Sequence, residues 1–546
     1  MDKNRIMRIL LELCKVPSVS ESEGERRMPE KLREILSRTD YFSKHPQNIR
    51  IHKIPGDPMD RSFVFALREA DPGCARTIVL LSHFDVVDVD EFGAFRDYAF
   101  DPEGYTDFLR NSGSVELPEE AKADLESGDY LFGRGTMDMK FGIAAQIELL
   151  HHVDEAGEPF PVNLLFASVP DEEANSAGML AAVEELLSLK KERQLEYLCC
   201  IVTEPYMSKY PGDTARYIYA GAEGKLMPAF YCVGKETHVG EPFEGLNPNL
   251  LTAYIIEQFE QNPDLADSIG GVYGPVPVCL KQADLKEAYS VQIPTAAYTY
   301  FNYMTLKLLP DELLEKMKEV AVKAFEKALS LTKARAARME ALTDIKLLLP
   351  ELQPKIYTYE ELYRLCLEKH GSAFEAHMKE FTANAAAGDL RELSVKAVRE
   401  AHRFCPDRNP MIVLFFAPPF YPHTDLPGED SLVMQVCREI AGISEKVYGE
   451  GLDVDPHFSG ITDMCYLQLA KGLNIEALEK NMPLWGKGYS VPLAAIEELN
   501  MPFINVGPMG KDAHKFTERL NLSYSFNTAV ELLKETVYLL CEKSGM

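Results

Sequence analysis

His83, Asp138, Glu173, Glu204 and His514 are the residues whose types and placement could hold metal ions. Four of the five stand just past an apolar run that reads as a buried strand. Thr77–Leu81 leads to His83, Asn163–Val169 to Glu173, and Tyr197–Val202 to Glu204. Pro502–Val506 leads, across a glycine-rich loop, to His514. In open α/β sheets, ligand sites form beyond the carboxyl ends of the strands. Histidine and carboxylate ligands without thiolates suit zinc with an open position, and also cobalt or manganese.

Each motif has a plainer alternative. In His83-Phe84-Asp85 the carboxylate can fix the imidazole tautomer through the second ring nitrogen, yet a lone histidine is more often structural. Gly133-Arg134-Gly135-Thr136-Met137-Asp138-Met139-Lys140 presents Asp138 in a tight loop before a helix. Its two oxygens can reach two cations, or the segment is a capped polar turn. Asp171-Glu172-Glu173 sets three acids at a strand end, where they repel each other without a cation. One can ligate metal while its neighbour takes a proton from water; the alternative is a solvated acidic turn. Glu204, in Thr203-Glu204-Pro205, and His514, in Gly510-Lys511-Asp512-Ala513-His514, are unremarkable individually.

These side chains need a frame. Residues 1 to about 209 alternate helical patterns (Met1–Lys15, Gly142–Val153, Leu180–Leu189) with β-rich runs such as Arg61–Arg68. Ser18 or Ser20 is placed to cap an acidic helix near Glu21–Leu36. Such alternation predicts a largely parallel sheet covered on both faces. Residues 210–425 follow a β-β-α-β-α order instead, through Arg216–Cys232, Pro248–Phe259, Ala297–Leu309 and Pro310–Leu331, with Met411–Phe416 as a last strand. That order predicts an antiparallel sheet with helices on one side. Within it, about 333–408 is helical, has no strong strand signal and reads as an insertion. The first texture returns over 426–546. The expected fold class is α/β: a mostly parallel-sheet catalytic domain covered by helices, with an inserted α+β lid domain that carries an extra helical insertion.

The 546 residues exceed the usual size of one domain. A formal charge of −28 disfavours nucleic acid and anionic membrane as partners. No window approaches the roughly 18 apolar residues of a membrane span. The stretch Ile6–Leu13, interrupted by Arg8 and Glu12, reads as an amphipathic helix and not as a secretory signal. The 11 cysteines are scattered without a C-x-x-C pair, which predicts reduced thiols and a cytoplasmic location.

Together the motifs resemble the M-twenty family of metallopeptidases, in order, from the helix before Pro17-Ser18 to His514-x-x-x-Glu518. Within that family the chain is most similar to the large bacterial arginine-utilisation protein B group. The resemblance implies two divalent metals, zinc first and cobalt or manganese as alternatives. Asp138 bridges them; His83 and Glu204 complete one shell, Glu173 and His514 the other. Glu172 is the general base and acid, and Asp85 supports His83. Gly234-Lys235-Glu236-Thr237-His238-Val239-Gly240 matches a family segment whose histidine, here His238, donates to the oxyanion, often in a neighbouring subunit. Asn247 follows it in Gly245-Leu246-Asn247-Pro248. Ser459-Gly460-Ile461-Thr462-Asp463 resembles a substrate loop, which makes Thr462 and Asp463 substrate contacts.

The implied activity is metal-dependent cleavage of an amide bond in a small peptide or N-acyl amino acid, in a homodimer, in amino-acid (arginine) catabolism. A metal- or amino-acid-binding regulatory protein with little catalysis is the alternative. Two departures stand out. Lys140 is followed by Phe141-Gly142 where the family has Lys-Gly-Gly, which predicts a narrowed pocket wall. The strand around Tyr300–Thr305 lacks the family's Asp-x-Arg, so no arginine is identifiable as a grip for a substrate carboxylate. Trp485 and Tyr489, beside Gly486 and Gly488, read as pocket lining or, more simply, as core or rim packing.

Overall fold

The computed structural model describes residues 1–70, 73–157, 160–206, 209–210, 212–213, 215–383, 388–455, 457–458 and 460–545. The chain divides into two compact units: 1–222, 424–469 and 492–546 form one, and 223–423 with 470–491 the other. The crossing thus falls at 222/223, not at 209/210. Residues 470–491, expected in the catalytic part, join the second unit. The reason is visible at strand Tyr217–Tyr219, which belongs to the first unit's sheet.

That sheet has eight strands in the order Ile49–Lys53, Ser62–Arg68, Asn163–Val169, Arg76–His83, Glu196–Val202, Phe503–Asn505, Tyr217–Tyr219, Asp453–Asp455. The middle four run parallel. Parallel strands are covered on both faces, so they read as continuous apolar runs. Ile78, Leu80, Leu164, Phe166, Cys199 and Ile201 pack into one core with helices Lys3–Cys14, Phe141–Glu155, Leu432–Ile443 and Val530–Ser544. Val79, Leu81, Leu165, Ala167 and Cys200, on the opposite face, are equally buried, and helix Ala177–Arg193 packs on that side against Asn163–Val169.

Register is what matters for chemistry. His83 lies opposite Val169, Leu81 opposite Val202, and Val202 opposite Asn505. The four strands therefore end level, and the residues that follow each of them emerge along one edge.

Two glycines let backbones crowd together there. A Cβ on Gly507 would lie 1.8 Å from the Glu204 carbonyl oxygen, and one on Gly142 would lie 2.4 Å from Thr203 Oγ1. Ser22, not Ser18 or Ser20, caps helix Glu23–Leu36 by accepting from Glu25 N–H. Ser18 and Ser20 point to the strand end instead: their hydroxyls donate to the Phe84 carbonyl (2.6 Å) and to Asp85 Oδ2 (2.7 Å).

The second unit is built on a six-stranded sheet. Val278–Asp284, Ala296–Thr305, Pro228–Val233, Met411–Phe416 and Ile356–Thr358 follow in that order, with Gly224–Leu226 pairing Ala296–Thr305. All pairs are antiparallel except Ile356–Thr358 with Met411–Phe416. Helix Pro248–Phe259 covers one face, where Phe259 meets Phe230 and Phe301. Helix Pro310–Thr343 packs beside it and runs past the expected end at Leu331. Helices were expected on one side only. Helices Tyr359–His370, Ser372–Ala383 and Leu390–Arg403 instead pack onto the other face, against Tyr231, Tyr298, Val413 and Phe415. The helical insertion is the second cover of the sheet, and it contributes the short strand Ile356–Thr358 as well.

Gly507→Ala is expected to destabilise the first unit by about 1–3 kcal/mol, the usual cost of forcing a methyl into packed backbone, and to displace Glu204. Thermal unfolding checks it: the melting temperature falls in the variant, and an unchanged melting temperature would show that the approach to Glu204 is not tight.

Candidate metal centre

Asp138 sits in the turn Thr136–Lys140, whose backbone is non-helical at Asp138 and Met139, directly before helix Phe141–Glu155. Gly135 enters that turn with φ 76°, a value that favours glycine. The carboxylate of Asp138 is buried and faces two imidazoles. Oδ1 lies 3.2 Å from His83 Nε2, and Oδ2 lies 3.3 Å from His514 Nε2. His83 Nε2 is also 3.3 Å from Glu204 Oε1, and His514 Nε2 is 3.1 Å from Glu173 Oε2. Two histidine–glutamate pairs thus meet on the two oxygens of one aspartate. One donor atom each from His83, Asp138 and Glu173 fall within 4.8 Å of one another.

This donor set fits a cation. His83 Nδ1 lies 3.1 Å from the Asp85 carbonyl oxygen and 3.5 Å from its carboxylate, so it is the nitrogen that donates. In the neutral ring Nε2 then aims a lone pair at two carboxylate oxygens, three acceptors with no hydrogen among them. A proton or a metal ion resolves that arrangement, and a neutral imidazole is the form that ligates.

Electrostatics say the same. Burial raises Glu204 to about 7, helped by Asp138 and Glu173 and opposed by His83. Burial raises Asp463 to about 8; Ser176 and His83 oppose it, and Asp85 and Glu204 add to it. Glu172 is pushed far above the usual carboxylate range, first by burial and then by Glu173 and Asp463, against the pull of His83. Hydrogen bonds to Asp138 and Glu173 raise His514 to about 11. Burial pulls His83 down, and Glu204, Glu172 and Asp138 override it to raise the ring.

Asp85 ties the edge together. Fully buried, it accepts from Ser20 Oγ (2.7 Å), Glu172 N–H (3.1 Å) and Glu173 N–H (3.2 Å). The acidic loop is also held from behind. Asp171, with φ 70°, accepts from Arg61 Nη1 (2.6 Å) and Ala177 N–H (3.0 Å). Glu172 and Glu173 are therefore presented by a turn whose backbone is fixed on two sides. Thr462 Oγ1 accepts from Met464 N–H at 3.4 Å, and buried Asp463 follows it; Ser459 of the same motif lies outside the described residues.

The five metal-ligand candidates, Glu172, Asp85, Thr462 and Asp463 all belong to the first unit; His238 and Asn247 belong to the second. His238 is exposed, pairs across a bridge with Gln292, and accepts from Gly240 N–H at 3.1 Å. Asn247 caps helix Pro248–Phe259 by accepting from Asn249 N–H. Phe141, expected to narrow the pocket wall, is 1 % exposed and packs edge-on against Phe526, so it serves the core.

Sequence reasoning missed Arg134. It is 1 % exposed, pairs with Glu518 Oε2 at 2.6 Å, and donates to the carbonyls of Asp88 and His514 at 3.1 Å. It fixes the loop that carries His514, whose φ of 68° is unusual for a residue with a side chain. The signal was present: an arginine between two glycines, and an acid four residues past the histidine.

With this geometry in place, comparisons with known proteins give a consistent result. The profile of peptidase family M20/M25/M40 matches residues 79–538, and the chain belongs to that family. The family's chemistry is hydrolysis of C–N amide bonds. The chain is 38 % identical over 546 residues to the protein YqjN of Bacillus subtilis, covering 99 % of this chain and 97 % of that one. It is 33 % identical over 550 residues to protein RocB of the same organism, covering 99 % and 96 %. Among solved structures, an M20 family metallo-carboxypeptidase from Sulfolobus solfataricus shares the fold with a TM-score of 0.53 at 14 % identity, covering 99 % of this chain and 100 % of that one.

Metal removal should expose the charge imbalance. Glu204 and Asp463 have folded values of about 7 and 8, above their ordinary 4.5 and 3.8, and His514 one of about 11, above 6.5. The folded metal-free chain then binds more protons than the unfolded one, so its stability falls as pH rises through these values. Thermal melts of chelator-treated protein are expected to show lower stability at pH about 9 than at about 6, and added divalent metal should restore most of the loss at the higher pH. A metal-free melt that improves with pH would contradict the assignment.

Proposed function

We propose that this member of peptidase family M20/M25/M40 is a dinuclear metal-dependent hydrolase of small peptides or N-acyl amino acids. The observation that carries the reading is the carboxylate of Asp138, with one oxygen toward His83 and Glu204 and the other toward His514 and Glu173. Those residues would hold two divalent cations, with zinc, cobalt and manganese as candidates from ligand chemistry. Such cations, when bound, acidify water and polarise a carbonyl.

The protein's own side chains do the rest. Glu172 stands beside the ligands without being one of them. Burial and neighbouring acids give its carboxyl a strong proton affinity, as a general base needs if it is to take a proton from attacking water. The same carboxyl then passes the proton to the leaving amine. Asp85 keeps His83 in the Nδ1–H tautomer and holds the backbone under Glu172. His238 donates to the oxyanion that forms at the scissile carbonyl, and Asn247, Thr462 and Asp463 contact the substrate.

His238 acts within its own chain or in the site of a second copy. The second unit has an edge strand, Val278–Asp284, with Val278 and Leu280 exposed, and a nearby hairpin with Tyr273 71 % exposed. An unpaired apolar edge is a template for pairing with another chain, which supports a homodimer through this unit. Similarity to RocB supports a role in amino-acid (arginine) catabolism. All eleven cysteines are free, which supports a reducing, cytoplasmic location. Among the described residues, no helix is long and apolar enough to cross a membrane.

Glu172→Gln is expected to lower kcat by at least about 100-fold, the scale of a lost general base, while metal content is unchanged. Turnover near the wild-type rate would remove Glu172 from this role. His238→Ala should reduce kcat by on the order of 100-fold with KM little altered, as loss of one oxyanion donor does; steady-state kinetics on an N-acyl amino acid panel checks both, and an unaltered kcat in the second variant would refute its assignment.

A further inference from the structure

The second unit holds a cavity of about 290 Å³ that nothing above uses. One wall is helix Tyr359–His370; the other runs from helix Glu476–Asn481 to Lys487. The Glu360 N–H donates to Asn481 Oδ1 at 3.0 Å and joins the two walls. Tyr359 and Met482 are buried and give the cavity an apolar lining together with Pro483. Tyr363 and Trp485 add aromatic faces, and Trp485 is the only tryptophan of the chain.

The charges around this lining are unequally committed. Lys480 pairs with Glu476 at 2.6 Å and Glu360 at 3.2 Å. Glu479 accepts the Trp485 indole N–H at 3.1 Å. Arg364 and Lys487 also line the cavity, and among the described residues neither makes an ion pair. Lys487 Nζ stands 5.4 Å from the centre of the Tyr363 ring, and Glu375 acts on it without closing to a pair. In a chain of net charge −28, the cavity thus carries two cations without a carboxylate partner, one of them over an aromatic ring. A guanidinium and an ammonium recognise a carboxylate through charge-assisted hydrogen bonds. Aromatic walls recognise a flat apolar body, and a concave apolar site with a few convergent polar groups suits a small molecule.

We propose that this cavity binds a small aromatic carboxylate, with the acid held by Arg364 and Lys487 and the ring packed against Tyr363 and Trp485. The lining residues all belong to the second unit and include none of the metal-ligand candidates, so the proposal does not rest on the hydrolytic reading. The single tryptophan makes it directly observable. Trp485 emission, excited at the red edge to spare the tyrosines, is titrated with phenylacetate, 2-phenylethanol and phenethylamine on the full-length protein. The expected result is a saturable change with phenylacetate and a much weaker one with the neutral and cationic analogues. Arg364→Gln and Lys487→Gln, both at exposed positions, should each weaken phenylacetate binding by about tenfold or more, the scale of one hydrogen bond between charged groups. Circular dichroism confirms that the variants remain folded. No saturable change with phenylacetate, an equal response to all three probes, or undiminished binding in both variants would overturn the proposal.

Discussion

Too many carboxylates converge at one edge of a buried sheet for the protein to tolerate them uncompensated. Asp85, Asp138, Glu204 and Asp463 are all buried, and Glu172 and Glu173 stand beside them. Removing an ionised acid from water is costly unless opposite charge is supplied. Arg61 and Arg134 supply some, but they serve Asp171 and Glu518, behind the cluster. Facing the centre are two imidazoles, each placed so that it looks at a glutamate and at one oxygen of Asp138. The donor set is one that divalent cations would satisfy.

The rest of the first unit follows from holding that cluster in place. Parallel strands in level register bring four segments to one edge. Glycines at 142 and 507 let the neighbouring backbones close on Thr203 and Glu204. Asp85 then fastens the loop after one strand to the loop after the next, and Arg134 fastens the returning His514 loop to the turn of Asp138. These hydrogen bonds fix the backbone around the candidate ligands, so their donor atoms would need little reorganisation to take up a cation.

Much of this was legible in the sequence because the central strands of both sheets are buried on both faces. Asn163–Val169 and Met411–Phe416 stand as largely apolar runs, and their observed limits agree with that reading. In the first unit, acids and histidines past such runs gather at one edge of the sheet. What escaped is what depends on partners distant in sequence. Tyr217–Tyr219 is three residues long, and only its neighbours Phe503–Asn505 and Asp453–Asp455 assign it to the first sheet. Residues 470–491 carry no strand and join the second unit through contacts such as Glu360 to Asn481. The role of Arg134 needs the His514 carbonyl, 380 residues away. The cover on the second sheet face is set by which side of Tyr231 and Val413 the helices take, and helical periodicity alone does not choose between sides.

Direct counting of bound metal tests most simply whether two cations share Asp138. Elemental analysis of protein dialysed against zinc, cobalt or manganese should give two ions per chain, and His514→Ala should leave the His83 side occupied and lower the count toward one. A chain that takes up no divalent metal under these conditions, or one whose full count survives loss of both His83 and His514, would contradict the assignment of this site.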